Sequence, residues 1–290
     1  MLNQHHRAAL VTGASSGLGR AFAEMLLSEG LVVWGTARDP ARLADLAAAH
    51  PGRFFPLALD LADPASVASA WQTVNSQPPP PPPLPPVDLL INNAGYGVFG
   101  ESTSTDFTPW RTQIDSLLTN TLALAHAALR DMLTRNDGRG DGTIVNISSL
   151  AAEFPIPGMS GYNAAKAGLS AWSESIAYEL RASRPARSDG GVRIIDFRPG
   201  DFRTSFNQAA AHPAGLSPAW QRVWRRFEAM HATAPLPSVA ARDLRRALQK
   251  RRSGMVRSGS FFQARLAPLL ARLGWWRIRH AVQARYFDLK

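Results

Sequence analysis

Short runs of apolar residues alternate along this chain with longer stretches whose apolar positions recur at helical spacing. The short runs predict strands at 8–11, 31–36, 54–59, 89–91, 143–147 and 192–197. The longer stretches predict helices at 19–29, 64–74, 107–133 and 161–182. Strands alternating with helices in this way read as α/β, one doubly wound parallel sheet with crossover helices. In such a sheet, ligands are expected beyond the C-terminal ends of the strands.

Two stretches break the alternation. PPPPPPLPP, at 78–86, can be neither helix nor central strand, because proline lacks the N–H donor and fixes φ. It predicts a polyproline II arm of roughly 28 Å if fully extended. The arm is either a solvated loop or a ligand for an aromatic groove. RNDGRGDG, at 135–142, is turn-forming and predicts a connection.

Composition narrows the class. A chain of 290 residues with 45% hydrophobic content can bury the core of one large α/β domain, so 1–290 reads as a single domain. The absence of cysteine removes disulfides, thiolate nucleophiles and Cys-ligated zinc. His5 and His6 read as part of a solvated N-terminal tail, and His126, His212, His231 and His280 lack partners at metal-ligand spacing, so no metal is expected. The opening MLNQHHRAALVTGASSG carries no apolar signal segment, and no run approaches the roughly 18 apolar residues of a membrane span. A cytoplasmic address is the expectation.

The formal charge of +10 is unevenly spread. Residues 1–219 sum to −3, whereas residues 220–290 carry 16 basic against 3 acidic side chains. An excess confined to the last quarter argues against nucleic acid as the partner of the whole protein. In that quarter Phe262, Leu266, Leu269, Leu270, Leu273 and Trp276 suit one helix face, with Arg265, Arg272, Arg277 and Arg279 around them. Such a face either lies on an anionic membrane, at the inner membrane face, or packs on the domain with its arginines solvated.

The chemistry starts at TGASSGLGR, 12–20, where a strand meets a glycine turn and then a helix. Backbone N–H groups and a helix N-terminus in that context receive a pyrophosphate. The glycines fall as G-x-x-x-G-x-G, at 13, 17 and 19, and not as the generic G-x-G-x-x-G. At the end of the second strand, LVVWGTARD, an NAD site wants a carboxylate for the ribose hydroxyls and an NADP site a cation for the 2′-phosphate. This chain has Ala37 and then Arg38, whose planar fork suits phosphate oxygens. Ser15 and Ser16 are placed to add hydroxyl contacts, and Asp39 is expected to point away. The predicted cofactor is NADP(H).

SGYNAAKAG, 160–168, sets Tyr162 and Lys166 four residues apart, one above the other on a helix. Together with TGASSGLG, Asp60, NNAG at 92–95, Asn120, the serines at 148–149 and PGDFRT at 199–204, this set resembles the short-chain dehydrogenase/reductase family over residues 8–205. The resemblance implies a Rossmann fold of a single domain, with residues 205–290 forming a substrate lid and a basic C-terminal helical extension. It implies that Gly13, Ser15, Ser16, Gly17, Leu18 and Gly19 hold the dinucleotide with Arg38, and that Asp60 and Leu61 border its adenine. Asn93, Ala94 and Gly95 would allow close backbone approach, and Pro199, Gly200 and Thr204 would contact the nicotinamide carboxamide and diphosphate. A homodimer or homotetramer through 107–133 and 161–182 is also implied.

The catalytic assignments are Tyr162, Lys166, Ser149 and Asn120. A free phenol titrates near 10, and bringing it to about 7 takes about 4 kcal/mol. An ammonium one turn away, at Lys166, favours the phenolate, as would a positively charged nicotinamide. Tyr162 would then protonate a carbonyl oxygen during reduction and take the proton back during oxidation. By resemblance Lys166 also holds the nicotinamide ribose, and Ser149, thirteen residues before Tyr162, polarises the carbonyl, leaving Ser148 structural. Asn120, a poor helix former inside SLLTNTLALAH, suggests a bound water and a proton path to Lys166.

After Thr204, residues Trp220, Val223, Trp224, Phe227 and His231 form a helical apolar stripe. It is either core or a lid over a bulky hydrophobic substrate such as a steroid-, retinoid- or lipid-like carbonyl or alcohol. The alternatives are a reductase of carrier-bound 3-ketoacyl groups and an NADP-sensing or scaffold protein. A sensor has no need of the Asn, Ser, Tyr and Lys set. The charges of Asp201 and Arg203 leave open whether they face substrate or solvent.

Overall fold

The six apolar runs form strands β1 (Ala8–Val11), β2 (Val32–Ala37), β3 (Phe54–Ala58), β4 (Leu89–Asn92), β5 (Asp141–Ile147) and β6 (Gly191–Pro199). The computed structural model describes residues 2–76, 84–135, 137, 140–182, 191–212, 215–269, 280 and 283–287. A seventh strand, β7 (Gly254–Ser258), lies in the basic quarter, where the sequence pattern predicts a helical extension. All neighbours are parallel, in the order β3-β2-β1-β4-β5-β6-β7. The chain runs outward from β1 through β2 to β3 and then returns to β4 on the other side. That reversal between β1 and β4 opens a crevice at the strands' C-terminal ends.

The helices are α1 (Gly17–Ser28), α2 (Ala44–Ala49), α3 (Pro64–Ser76), α4 (Phe107–Ile114), α5 (Thr121–Thr134), α6 (Ser160–Ala182), α7 (Pro218–Ala232) and α8 (Pro237–Gln249). Because both sheet faces are covered, the central strands are apolar at successive positions and do not alternate. Ala9 and Val11 of β1 face one layer, with Phe22, Leu26 and Leu27 of α1 and Leu244 and Leu248 of α8. Ala8 and Leu10 face the other, with Val67 and Trp71 of α3, Leu124 and Leu129 of α5 and Leu180 of α6. Each of the valine, leucine and phenylalanine side chains, buried fully, contributes about 1.5–3 kcal/mol. The stretch after 205 therefore does more than form a lid, since α8 and β7 complete a helix layer and the sheet.

The expected helix at 107–133 is divided. Between α4 and α5 a π-helical turn, Asp115–Asn120, widens the coil. Of the proline-rich stretch, 77–83 lie outside the described residues, and Leu84 packs against the second layer. Residues 136, 138 and 139 of the predicted turn, and 270–279 of the predicted C-terminal face, also lie outside them. A third apolar cluster, with Phe99, Leu117, Met159, Tyr162, Val223, Phe227 and Phe287, joins residues of α6 and α7 near the crevice.

Candidate active site

The turn after β1 is shaped by what cannot fit in it. Gly13 has φ +67°, and a Cβ there would stand 2.9 Å from the Ala94 Cα. At Gly19 a Cβ would stand 2.1 Å from the Gly13 carbonyl oxygen and 2.4 Å from Asn93 Nδ2. The missing side chains let α1 begin directly against the strand ends. Its N-cap, Ser16, makes no side-chain capping bond, so first-turn N–H groups are left for an anion. Thr12 fastens the turn to β4, its Oγ1 accepting from the N–H groups of Asn93 and Ala94 at 2.9 Å each.

One cavity of about 1120 Å³ runs from this turn across the sheet's C-terminal edge. At the turn it is lined by Gly13, Ser15, Ser16, Gly17 and Leu18, and beyond β2 by Arg38 and Arg42. Neither arginine has an ion-pair partner among the described residues. Asp39 accepts from the Ala41 N–H at 3.0 Å and stays off the cavity wall, as expected. Asp60, Leu61, Asn93, Ala94 and Gly95 line the middle, and Pro199, Gly200 and Thr204 the far side. Gly19 and Asn120 lie outside the lining. The first sits at the helix–strand contact, and the second donates from Nδ2 to the Leu61 carbonyl at 2.7 Å. Asn120 thus holds a backbone that borders the cavity, at the end of the π-helical turn.

Ser149, Tyr162 and Lys166 meet at the centre of this wall. Successive residues of the β5 end diverge. Both serines border the cavity, but Ser148 Oγ is turned back to donate to the buried Asp196 carboxylate, whereas Ser149 Oγ accepts from the Ala151 N–H at 3.0 Å. Lys166 Nζ donates to the Ile147 carbonyl at 2.7 Å and stands 5.8 Å from the centre of the Tyr162 ring.

The electrostatics correct one expectation. Burial pushes the Tyr162 phenol up to about 12; the Ser149 hydroxyl pulls it back and the Asp201 charge adds to the rise. Burial also pushes the Lys166 ammonium down to about 8, with Asp196 partly offsetting the fall. Each interior position penalises the charged form, roughly 3 kcal/mol for either group. The protein's own groups therefore do not make the phenol acidic, contrary to the sequence-based expectation. A positive charge brought beside the phenol would act in the opposite direction.

The substrate end contains residues without a sequence motif. Phe227, Met230 and His231 of α7 line the cavity while Val223 is core, so the stripe is in part core and in part cavity wall. Asp201 lines the cavity; Arg203 is exposed and donates to the Ala234 carbonyl at 3.2 Å. Arg42, Asn207, Gln263 and Tyr286 also line it. Arg42 could be suspected from its place one helical turn beyond Arg38, but the other three carry no such signal. Among the described residues no group of three or more His, Cys, Asp or Glu could hold a metal ion.

Known proteins share this arrangement. The family model for short chain dehydrogenase matches residues 7–214. Oxidoreductase calM of Penicillium decumbens is 32% identical over 197 residues, which span 68% of this chain and 61% of that protein. The 3-oxoacyl-[acyl-carrier-protein] reductase FabG of Vibrio harveyi is 32% identical over 208 residues, 72% of this chain and 78% of that one. A short-chain dehydrogenase structure from Streptomyces avermitilis superposes with a TM-score of 0.76 at 30% identity, covering 92% of this chain and 94% of that chain. The family match takes in the glycine turn, the Tyr-x-x-x-Lys helix and six of the seven parallel strands, and the chain is an oxidoreductase of the short-chain dehydrogenase family.

Proposed function

We propose that the protein interconverts a carbonyl and an alcohol with NADP(H), on a bulky hydrophobic substrate. The observation that carries this reading is the single cavity shared by the glycine turn, the two arginines and the Ser149–Tyr162–Lys166 group. A dinucleotide fits this lining. The uncapped start of α1 and the close approach at Gly13 suit a pyrophosphate, and the guanidinium groups of Arg38 and Arg42 suit a 2′-phosphate. When bound, the nicotinamide supplies or accepts the hydride. Tyr162 donates its hydroxyl proton to the carbonyl oxygen in reduction and recovers it in oxidation. Ser149 Oγ orients that oxygen, and Lys166 holds the ribose while supplying positive charge beside the phenol. Asn120 fixes the Leu61 backbone and supports a water path toward Lys166.

Phe154, Ile156, Phe206, Phe227, Met230 and Phe287 give the substrate end its apolar wall, which supports a bulky hydrophobic ligand. A panel of hydrophobic and small polar ketones followed by NADPH absorbance tests the reading. Turnover of large apolar ketones is expected, and preference for sugars would contradict it. A titration in which NADH binds more tightly than NADPH would overturn the cofactor assignment.

A second reading, reduction of carrier-bound 3-ketoacyl groups, is supported by the likeness to the Vibrio harveyi reductase and by the basic last quarter, which suits an acidic carrier. A large rate advantage for carrier-bound over free ketoacyl thioesters would favour it. Dimer or tetramer assembly through α4–α6, a cytoplasmic location and contact of the basic segment with anionic membrane complete the proposal. Light scattering and liposome co-sedimentation test the assembly and the membrane contact. No described helix is long and apolar enough to cross a membrane.

A further inference from the structure

The apolar wall of the substrate end is interrupted by a carboxylate. Asp201 follows Gly200 at the end of β6, and its Oδ2 accepts from Gln263 Nε2 at 2.5 Å. The Asp201 backbone N–H in return donates to Gln263 Oε1 at 3.2 Å, so the residue is clamped at two points, its carboxylate at one. Its other oxygen, Oδ1, accepts no hydrogen bond among the described residues, and the residue lines the cavity. Burial raises this carboxyl above its ordinary value, while Gln263 and then His231 pull it back. Gly200 leaves the room for the clamp, since a Cβ there would stand 2.6 Å from Gln263 Oε1. Beside it, His231 Nε2 is taken up by the Thr204 backbone, whereas its Nδ1 is buried without a partner. Asn207, 7% exposed, has both amide atoms buried and unpartnered.

A carboxylate oxygen that loses solvent to a ligand in an apolar cavity is costly unless that ligand completes it. From this arrangement we infer that the substrate carries a hydrogen-bond donor, an amine or a hydroxyl, besides its reacting carbonyl, and that Asp201 Oδ1 receives it. The inference rests on the carbonyl–alcohol reading and deepens it: the substrate is apolar along its body and polar where it meets Asp201. A purely hydrocarbon-tailed ketone would leave Asp201 Oδ1 dry and without a donor.

The test uses aryl ketones with tails of graded length ending in methyl, hydroxymethyl or aminomethyl, compared by kcat/KM with NADPH. At the matching length, a donor-terminated ketone should exceed its methyl counterpart by about tenfold to a hundredfold. Asp201→Asn should reduce an aminomethyl preference to within about threefold while sparing a hydroxymethyl preference, which separates the two donors. Asp201→Leu should abolish both. Gln263→Met, which keeps the carboxylate but frees it, should weaken the preference, and it carries the test if the Asp201 variants do not fold. Equal rates for all three termini at every length would overturn the inference, as would a preference unchanged by Asp201→Leu or Gln263→Met. Calorimetric binding of the same ketones to the NADP+-loaded protein reads the preference without turnover. Preferential binding with no turnover would defeat the reductase reading alone.

Discussion

Replacing Asp196 by Asn tests how the buried network behind the site supports Lys166. Asp196 is 3% exposed and accepts from three donors: Ser148 Oγ on one oxygen, Ser170 Oγ and Arg198 Nε on the other, the last two at 2.7 Å each. Asn offers one acceptor oxygen, so its NH2 must face a donor. Complete loss of a buried ion-pair partner costs about 3–5 kcal/mol. Arg198 keeps Glu153, so the expected loss lies at the lower end, about 3 kcal/mol, or a fall of about 6 °C in Tm. The charge effect is separate. Asp196 is the carboxylate that holds up the Lys166 titration against burial, which has already brought it to about 8. If the titration descends by one further pH unit, the charged fraction at pH 7.5 falls from about three-quarters to about one-quarter, a threefold loss. The assay is kcat/KM with NADPH and the best ketone of the panel, from pH 5.5 to 9. The variant should match the wild type near pH 6 and fall behind it as pH rises. A lower Tm with an unchanged pH profile would refute the electrostatic argument and leave Asp196 a packing residue.

Changing Arg38 and Arg42 to Glu should lower the NADPH-to-NADH affinity ratio by about tenfold per arginine, measured by fluorescence titration; an unchanged ratio would place the 2′-phosphate elsewhere. Gly19→Ala sets a methyl against a backbone oxygen that cannot swing aside. It should cost about 3 kcal/mol in urea unfolding and weaken dinucleotide binding. Lys166→Met should alter the pH dependence of stability. With the folded titration near 8 and the unfolded near 10.5, the unfolded chain binds more protons between them, so wild-type stability rises with pH across that window. The rise is at most roughly 3 kcal/mol and is opposed above pH 10 by Tyr162, whose folded titration lies above its unfolded one. Urea unfolding from pH 7.5 to 10 should show the slope flattened in the variant, and an equal slope would contradict the assignment.

The five inner strands were legible because each is a compact apolar run covered on both faces, and the edge strand β3 because FFPLA is still a short apolar run; observed ends such as Ala8–Val11 coincide with the pattern. Strand β7 was not. It pairs only with β6, lies partly in solvent, and reads GMVRS among arginines, so composition suggests surface helix. Helix α8 shows the opposite difficulty, since its buried alanines and leucines are interleaved with four charged residues. In the site, a fixed spacing carried Tyr162, Lys166 and Ser149, and Arg38 could be read from its place after β2. Gln263 and Asn207 could not be read, because they reach the cavity through tertiary packing. The sign of the Tyr162 perturbation was hidden for a related reason: sequence puts an ammonium one turn away, while depth of burial, a property of the folded chain, decides which term wins.

The central claim is that the Tyr162 hydroxyl moves the proton. Its most direct test is Tyr162→Phe, which deletes one oxygen from a buried ring, with NADPH-dependent ketone turnover and NADPH affinity measured on the same preparation. Turnover should fall by about a thousandfold while the NADPH Kd stays within about threefold. Turnover near the wild-type rate would mean that another group supplies the proton.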